Sequence, residues 1–190
     1  MVRYRPEHKQ ATRERILASA GSRLKTAGID GAGLSGLMAD AGLTNGAFYA
    51  HFGSKDELVA TVIRAQLAAQ RDTIAALPDD LAALAGYIRE YLSPAHRDSP
   101  ADGCPSAALL LDISRAGQAV REAYAAGIEE IVDVVAARLP GRTPDEARAI
   151  AVGLITMLVG TLQLARALPD EAASTRVLDE GFANAQRLLQ

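Results

Sequence analysis

Residues 33–58 read GLSGLMADAGLTNGAFYAHFGSKDEL. Leu34, Leu37, Met38 and Ala41 recur at helical spacing and give a short apolar face. Gly42 ends that run, as a residue free to take the left-handed conformation. Thr44 then stands where a second short helix, Asn45 to His51, needs an N-cap. Two helices joined by a tight glycine-containing turn form the helix-turn-helix pattern that reads duplex DNA. Phe48 and Phe52, four apart, anchor the second helix and leave small or polar residues on its other face: Thr44, Asn45, Gly46, Ala47, Tyr49, Ala50 and His51. Such a face can enter a major groove. Ser54 restarts a helix as its cap, with Glu57 three residues on. Lys55 and the exposed amides of that first turn make a seat for a phosphate.

The run from Ala41-Gly42 through Thr44, Gly46, Phe48-Tyr49, His51-Phe52 and Ser54-Lys55 to Leu58 resembles the DNA-binding segment of the TetR family of bacterial regulators, AcrR-like members included. The resemblance covers roughly the first third of the chain and implies an all-α protein of about nine helices. It implies a three-helix DNA-binding unit at 1–55, and a helical unit at 56–190 that binds an effector and dimerises. It also places Thr12 on a phosphate. One departure stands out: the family's Ser or Thr before the second helix is here Ala32-Gly33, which costs about 1 kcal/mol of capping. Ser35 is the nearest hydroxyl able to substitute.

The chain has 190 residues and a net charge of -3, an unusual balance for a DNA binder until it is divided by position. Residues 1–60 carry eight basic against six acidic side chains, and the first 25 carry seven against two. Fields are screened within about 10 Å, so the local +5 governs phosphate attraction. Arg3, Arg5 and Lys9 form a short basic arm able to reach a phosphate or the minor groove. No stretch of eighteen uncharged apolar residues marks a membrane span, and MVRYRPEHKQ lacks the apolar core of a secretory signal. A cytoplasmic protein without membrane attachment is the expectation. One cysteine excludes an intrachain disulfide.

Periodicity predicts further helices at about 57–77, 80–92, 105–115, 118–139, 144–168 and 170–189, with 93–103 a loop in which His96 is solvated. Thr143-Pro144-Asp145-Glu146 is a complete helix start. The helix it opens is too apolar for a free surface. Ala149, Gly153, Thr156, Gly160 and Gln163 form a stripe of small residues on it, and Leu178, Phe182, Ala185 and Leu189 recur on the last helix. These two helices suit either internal packing or a two-fold four-helix bundle, and the resemblance implies the homodimer.

The resemblance also places an effector pocket among the central helices. Tyr87, Tyr91, Leu109, Leu110, Ile113, Tyr124, Ile128, Met157 and Leu158 are its candidate lining, and they suit an apolar or aromatic ligand. Cys104, at the start of a helix, resembles the Gly-Cys loop of members that sense electrophiles. The expected function is a ligand-responsive repressor on a palindromic operator. An enzyme fares worse: histidines at 8, 51 and 96 and one cysteine offer no acid-base or metal constellation, and no cofactor or metal is expected. A purely dimeric interaction module leaves the groove-facing segment without a purpose.

Overall fold

The computed structural model describes residues 6–190, with side chains from residue 8 onward, so Arg3 and Arg5 lie outside the described residues. Ten helices and no strand are found among them. Helix α1 (Pro6–Gly31) runs regularly to Gly28, whose φ of 76° breaks it, and Ala32 N closes the turn onto Gly28 O. Ile29 folds in behind that break as a buried contact. Helix α2 (Leu34–Asp40) starts at Gly33 without a side-chain cap, in keeping with the missing hydroxyl. Gly42, at φ 68°, turns the chain towards α3 (Asn45–Phe48).

The second helix of the pair is shorter than its periodicity predicts. Only Asn45–Phe48 is regular; residues 49–51 continue as turns, with His51 N donating to Phe48 O. Thr44 holds the cap position, but its hydroxyl accepts no bond there. Phe48 and Phe52 stack at 5.8 Å and are buried, which fixes the segment on the head's core.

Ser54 caps α4 (Lys55–Ala75) by accepting from Glu57 N, while Glu57 reaches back to Gly53 N. The pairing is one residue off the ordinary capping box but satisfies the same orphan donors. Helices α5 (Leu81–Tyr91), α7 (Pro105–Arg115), α8 (Gln118–Ala136), α9 (Pro144–Ala167) and α10 (Glu171–Leu189) fall close to their predicted places. Thr143 and Glu146 form the full capping box of α9.

The predicted loop at 93–103 needs correction. It contains one further helix, α6 (Pro94–Asp98), capped by Ser93 Oγ with Pro94 at its first position. A single turn has no periodicity to read, so its cap was the only available signal.

Helix α4 is the spine. Leu58, Val59, Val62, Ile63, Leu67 and Ile74 are all buried between α1 on one side and α8 on the other. Each contributes about 2 kcal/mol of apolar burial. The approach of α8 is closest at Gly127, where an added Cβ would lie 2.8 Å from Leu67 Cβ and 2.6 Å from its Cδ1. Gly127→Ala is therefore expected to destabilise the protein by about 1 kcal/mol, overpacking outweighing the gain in helix propensity. A urea unfolding midpoint that rises in this variant would contradict the packing.

Candidate nucleic-acid interface and ligand cavity

The face built by α3 and the start of α1 has the chemistry of a phosphate-flanked reader. Thr44, Asn45, Gly46 and Ala50 are exposed, Ala47 is half-buried, and the Tyr49 ring stands 70% exposed beside them. Tyr49 keeps an edge-on contact with Phe48 at 5.2 Å, so its hydroxyl projects from a fixed root. Thr12 on α1 is half-buried. Asn45 Nδ2 donates to Ser35 Oγ at 2.8 Å, a bond that ties α3 to α2.

One residue outside the sequence-derived set belongs to this face, together with Lys9 of the basic arm. The Arg13 guanidinium lies 4.8 Å over the Phe52 ring, and Lys9 sits one turn earlier on the same helix. Both act on His51, whose pKa is lowered first by burial and then by Lys9 and Arg13. The His51 Nδ1 is enclosed and has no hydrogen-bond partner. Lys9 and Arg13, spaced i and i+4 in the basic first turns, carried a readable signal, but only the fold sets them beside His51.

Lys55 has a second commitment. Its Nζ donates to Ile29 O at 2.6 Å, so its ammonium caps the end of α1 just past the break at Gly28 rather than standing open. Arg23 pairs with Asp40 at 2.6 Å, passing over Gly36, where a Cβ would meet the guanidinium. These contacts fix how α1, α2 and α4 meet.

In the body, an inner apolar cavity of about 30 Å3 lies between α4, α5, α8 and α9. Tyr87, Tyr91, Cys104, Ile128 and Leu158 line it, with Gln70, Ile74, Leu84, Ile88 and Leu154 among the residues that sequence reasoning missed. Gln70, Tyr87, Tyr91 and Cys104 also border an outer polar cleft of about 620 Å3, which extends to Ser22 and Lys25 on α1. The other five candidates do not line the inner cavity. Leu109 and Ile113 are buried on α7, which packs against α1; Leu110 is exposed. Tyr124 is one layer back, donating to Ser106 Oγ at 3.1 Å, and Met157 packs partly buried against the core. Helical apolar stripes look alike whether they face a cavity or a neighbour, so periodicity could not separate them.

His96 is not solvated. Cys104 N donates to its Nε2 at 3.0 Å, which puts the ring proton on Nδ1, 2.8 Å from Tyr91 O. Its ring meets Tyr91 edge-on at 4.6 Å. Burial leads in lowering its pKa, so the neutral ring is favoured. Lys25 Nζ donates to Gly103 O at 2.9 Å, and Arg166 donates to His96 O and Arg97 O. The mouth of the cavity is thus bonded to α1 of the head and to α9 of the body. Proximity of basic groups to Cys104, absent from its sequence neighbourhood, arises here from Lys25, His96 and Arg166.

The small-residue stripe on α9 faces outward. Ala149, Thr156, Gly160 and Gln163 are exposed, Gly153 is half-buried, and Val152 and Leu164 flank them at 41% and 53% exposure. The candidates on α10 divide differently. Leu178 and Ala185 are buried within the chain, Phe182 and Leu189 are half-buried, and Arg89 lies over the Phe182 ring at 5.0 Å. Leu178 and Ala185 therefore serve the contact of α10 with its own chain, because a stripe followed at i, i+7 marks the inner face here. Helix α9 is long and apolar enough to cross a membrane by length and composition, and 33% of its most apolar window is buried in the chain.

Residues 16–62 match a family model described as bacterial regulatory proteins, tetR family. Residues 81–180, more than half of the chain, match a second, described as transcriptional regulator LmrA/YxaF-like, C-terminal domain. No curated protein matches the sequence. Among solved structures, the reduced form of NemR from E. coli superposes with a TM-score of 0.79 at 20% identity, over 93% of this chain and 96% of that one. A TetR-family transcriptional regulator from Agrobacterium tumefaciens gives 0.75 at 21% identity over 93% and 98%. A TetR transcriptional regulator from Legionella pneumophila gives 0.77 at 19% identity over the full length of both. At these identities the likeness to the solved structures is one of fold.

The arrangement at His51 has a direct check. Arg13→Ala removes one of the two cations that act on the ring, so the His51 pKa should move upward, towards its ordinary value of 6.5. An NMR titration of the ring that shows no upward movement would reject the cluster.

Proposed function

Because this chain belongs to the TetR family of bacterial regulatory proteins, we propose that it is a cytoplasmic, homodimeric repressor of transcription that a small molecule releases from a palindromic operator. Residues 1–55 would be the DNA-binding unit and 56–190 the regulatory one. The observation that carries the proposal is the bond from Lys25 to Gly103 O, which joins the helix that supports the reader to the mouth of the ligand cavity. A molecule entering there and moving Gly103 acts on α1 through Lys25.

Reading of the operator divides by chemistry. Thr44, Asn45, Gly46 and Ala47 present short groups to base edges, and Tyr49, His51, Thr12, Lys9 and Arg13 surround them as phosphate partners. Lys55 acts through its cap on Ile29, holding α1 and α4 in register. One short reader covers only part of a site, so a two-fold pair is needed to place a second one helical turn, about 34 Å, away.

The outward stripe of α9 supports that pairing. Small residues from Ala149 to Gln163 let two helices approach closely, and Val152, Leu164 and Leu188 add exposed apolar surface. The charged first turn of α9 and the Thr and Gln on its stripe suit a protein partner better than lipid.

Release follows as a shift between two head spacings, only one of which fits both half-sites. The inner cavity is apolar, so an apolar effector is the leading class. An electrophilic effector is the second reading, favoured by the position of Cys104 on the wall of both spaces. A Cys104→Ser protein that still responds fully to a thiol-reactive compound would dismiss that second reading.

Footprinting upstream of the protein's own gene tests the function as a whole. Tyr49→Ala should weaken operator and random duplex alike, by about tenfold for one lost phosphate bond. Asn45→Ala should instead change the preferred base at one position per half-site, by about 1–3 kcal/mol. A uniform loss for Asn45→Ala contradicts that division. Val152→Asp should give monomers in analytical ultracentrifugation and remove operator binding, whereas a Val152→Asp dimer would move the interface off α9.

A further inference from the structure

The wall of the inner cavity carries a buried polar oxygen that no nitrogen or oxygen of the chain partners. Tyr91, in the last turn of α5, is 7% exposed and borders both the inner cavity and the outer cleft. Its hydroxyl is enclosed and has no nitrogen or oxygen partner within the chain, facing only the Cys104 sulfur. The groups around it are already engaged. Cys104 Sγ turns its proton to Gln70 Oε1 at 3.5 Å, and Gln70 Nε2 donates to Tyr87 Oη at 3.0 Å. The Cys104 sulfur is close by, but a thiol sulfur is a weak acceptor and does not replace a true partner. An enclosed, unpaired hydroxyl destabilises the ligand-free protein, and a native fold that retains one invites a functional explanation.

We propose that the Tyr91 hydroxyl is the hydrogen-bond donor that selects the effector, a neutral apolar molecule bearing a single acceptor oxygen of the carbonyl type. The proposal rests on the reading of this cavity as the effector site. Burial pushes the Tyr91 pKa well above its usual 10, so the proton stays on the oxygen and the group acts as a donor. Ile74, Leu84, Ile88, Ile131 and Leu154 supply the apolar surroundings. A charged end group is disfavoured on two counts. Lys25 and Arg166 are committed to backbone carbonyls, and the outer cleft also presents Glu90 and Asp102. A carboxylate drawn into the apolar part would lose more hydration than one hydroxyl returns. The inner cavity alone has room for a water molecule or two. A ligand whose oxygen meets Tyr91 must therefore span the shared wall of Gln70, Tyr87 and Cys104, which lies beside the Gly103 carbonyl held by Lys25.

The test uses the full-length protein, Tyr91→Phe, and two aromatic probes of similar shape, acetophenone and ethylbenzene, with benzoate as the charged comparison. Binding is followed by amide chemical shifts of Tyr91, Cys104 and Ile128. In Tyr91→Phe the ratio of acetophenone to ethylbenzene affinity should fall about tenfold, the worth of one hydrogen bond to a buried donor. The ligand-free Tyr91→Phe protein should gain about 2 °C in Tm, since an unpaired hydroxyl is removed. Tyr87→Phe, which loses the bond from Gln70, should lose stability instead. Loss of stability in Tyr91→Phe would show the hydroxyl already partnered and overturn the proposal. An unchanged affinity ratio, or tighter binding of benzoate than of acetophenone, overturns it while leaving the cavity as a ligand site. If no probe shifts the cavity amides, the effector-site reading falls with it.

Discussion

The burial of α4 from both sides is the constraint on which the rest depends. It packs under α1 on one side and on α8 on the other. A helix with apolar residues on two faces cannot be released from either partner without exposing the other, so it transmits position between them. Gly127 makes this possible by letting α8 approach the Leu67 side chain more closely than any Cβ would allow. The capped start at Ser54, the reach of Glu57 to Gly53, and the bond from Lys55 to Ile29 then fix the entry of this helix relative to α1.

A second set of contacts works at finer scale around α6. This single turn has few apolar residues of its own and is held by hydrogen bonds instead. Arg166 takes its carbonyls from the side of α9, while the His96 ring bridges Tyr91 O and Cys104 N. Lys25 takes the neighbouring Gly103 O from the side of α1. Bonds of this kind each contribute about 1 kcal/mol and depend on geometry, whereas apolar packing is non-directional. Loss of one of these bonds would therefore loosen the contact between the cavity mouth and α1 without unpacking the core, which is what the proposed release requires.

The surface divides on the same logic. The chain leaves apolar area uncovered along α9 from Val152 to Leu164, and the proposed covering is a second copy of the same helix. It leaves short polar groups at Thr44 to Ala47, and beside them Tyr49 stands 70% exposed on a stem anchored against Phe48, the face proposed above to meet DNA.

The sequence by itself determined everything that depends on neighbours within a turn or two. The turn at Gly42, the Ser54 cap, the Thr143-Glu146 capping box and the inward pair Phe48 and Phe52 follow from local chemistry, and the structure bears each of them out. Only the tertiary structure decided which apolar stripes face a cavity and which face a neighbour. It placed Leu109 and Ile113 in packing, and brought Gln70 and Leu154 to the cavity. It turned Leu178 and Ala185 inward, gave His96 two partners, and set Arg13 beside His51. The physical reason is one of range. Caps, turns and helical periods are settled by bonds spanning three or four residues, but a cavity is the space left between helices far apart in the chain, and no local period records what lies across it.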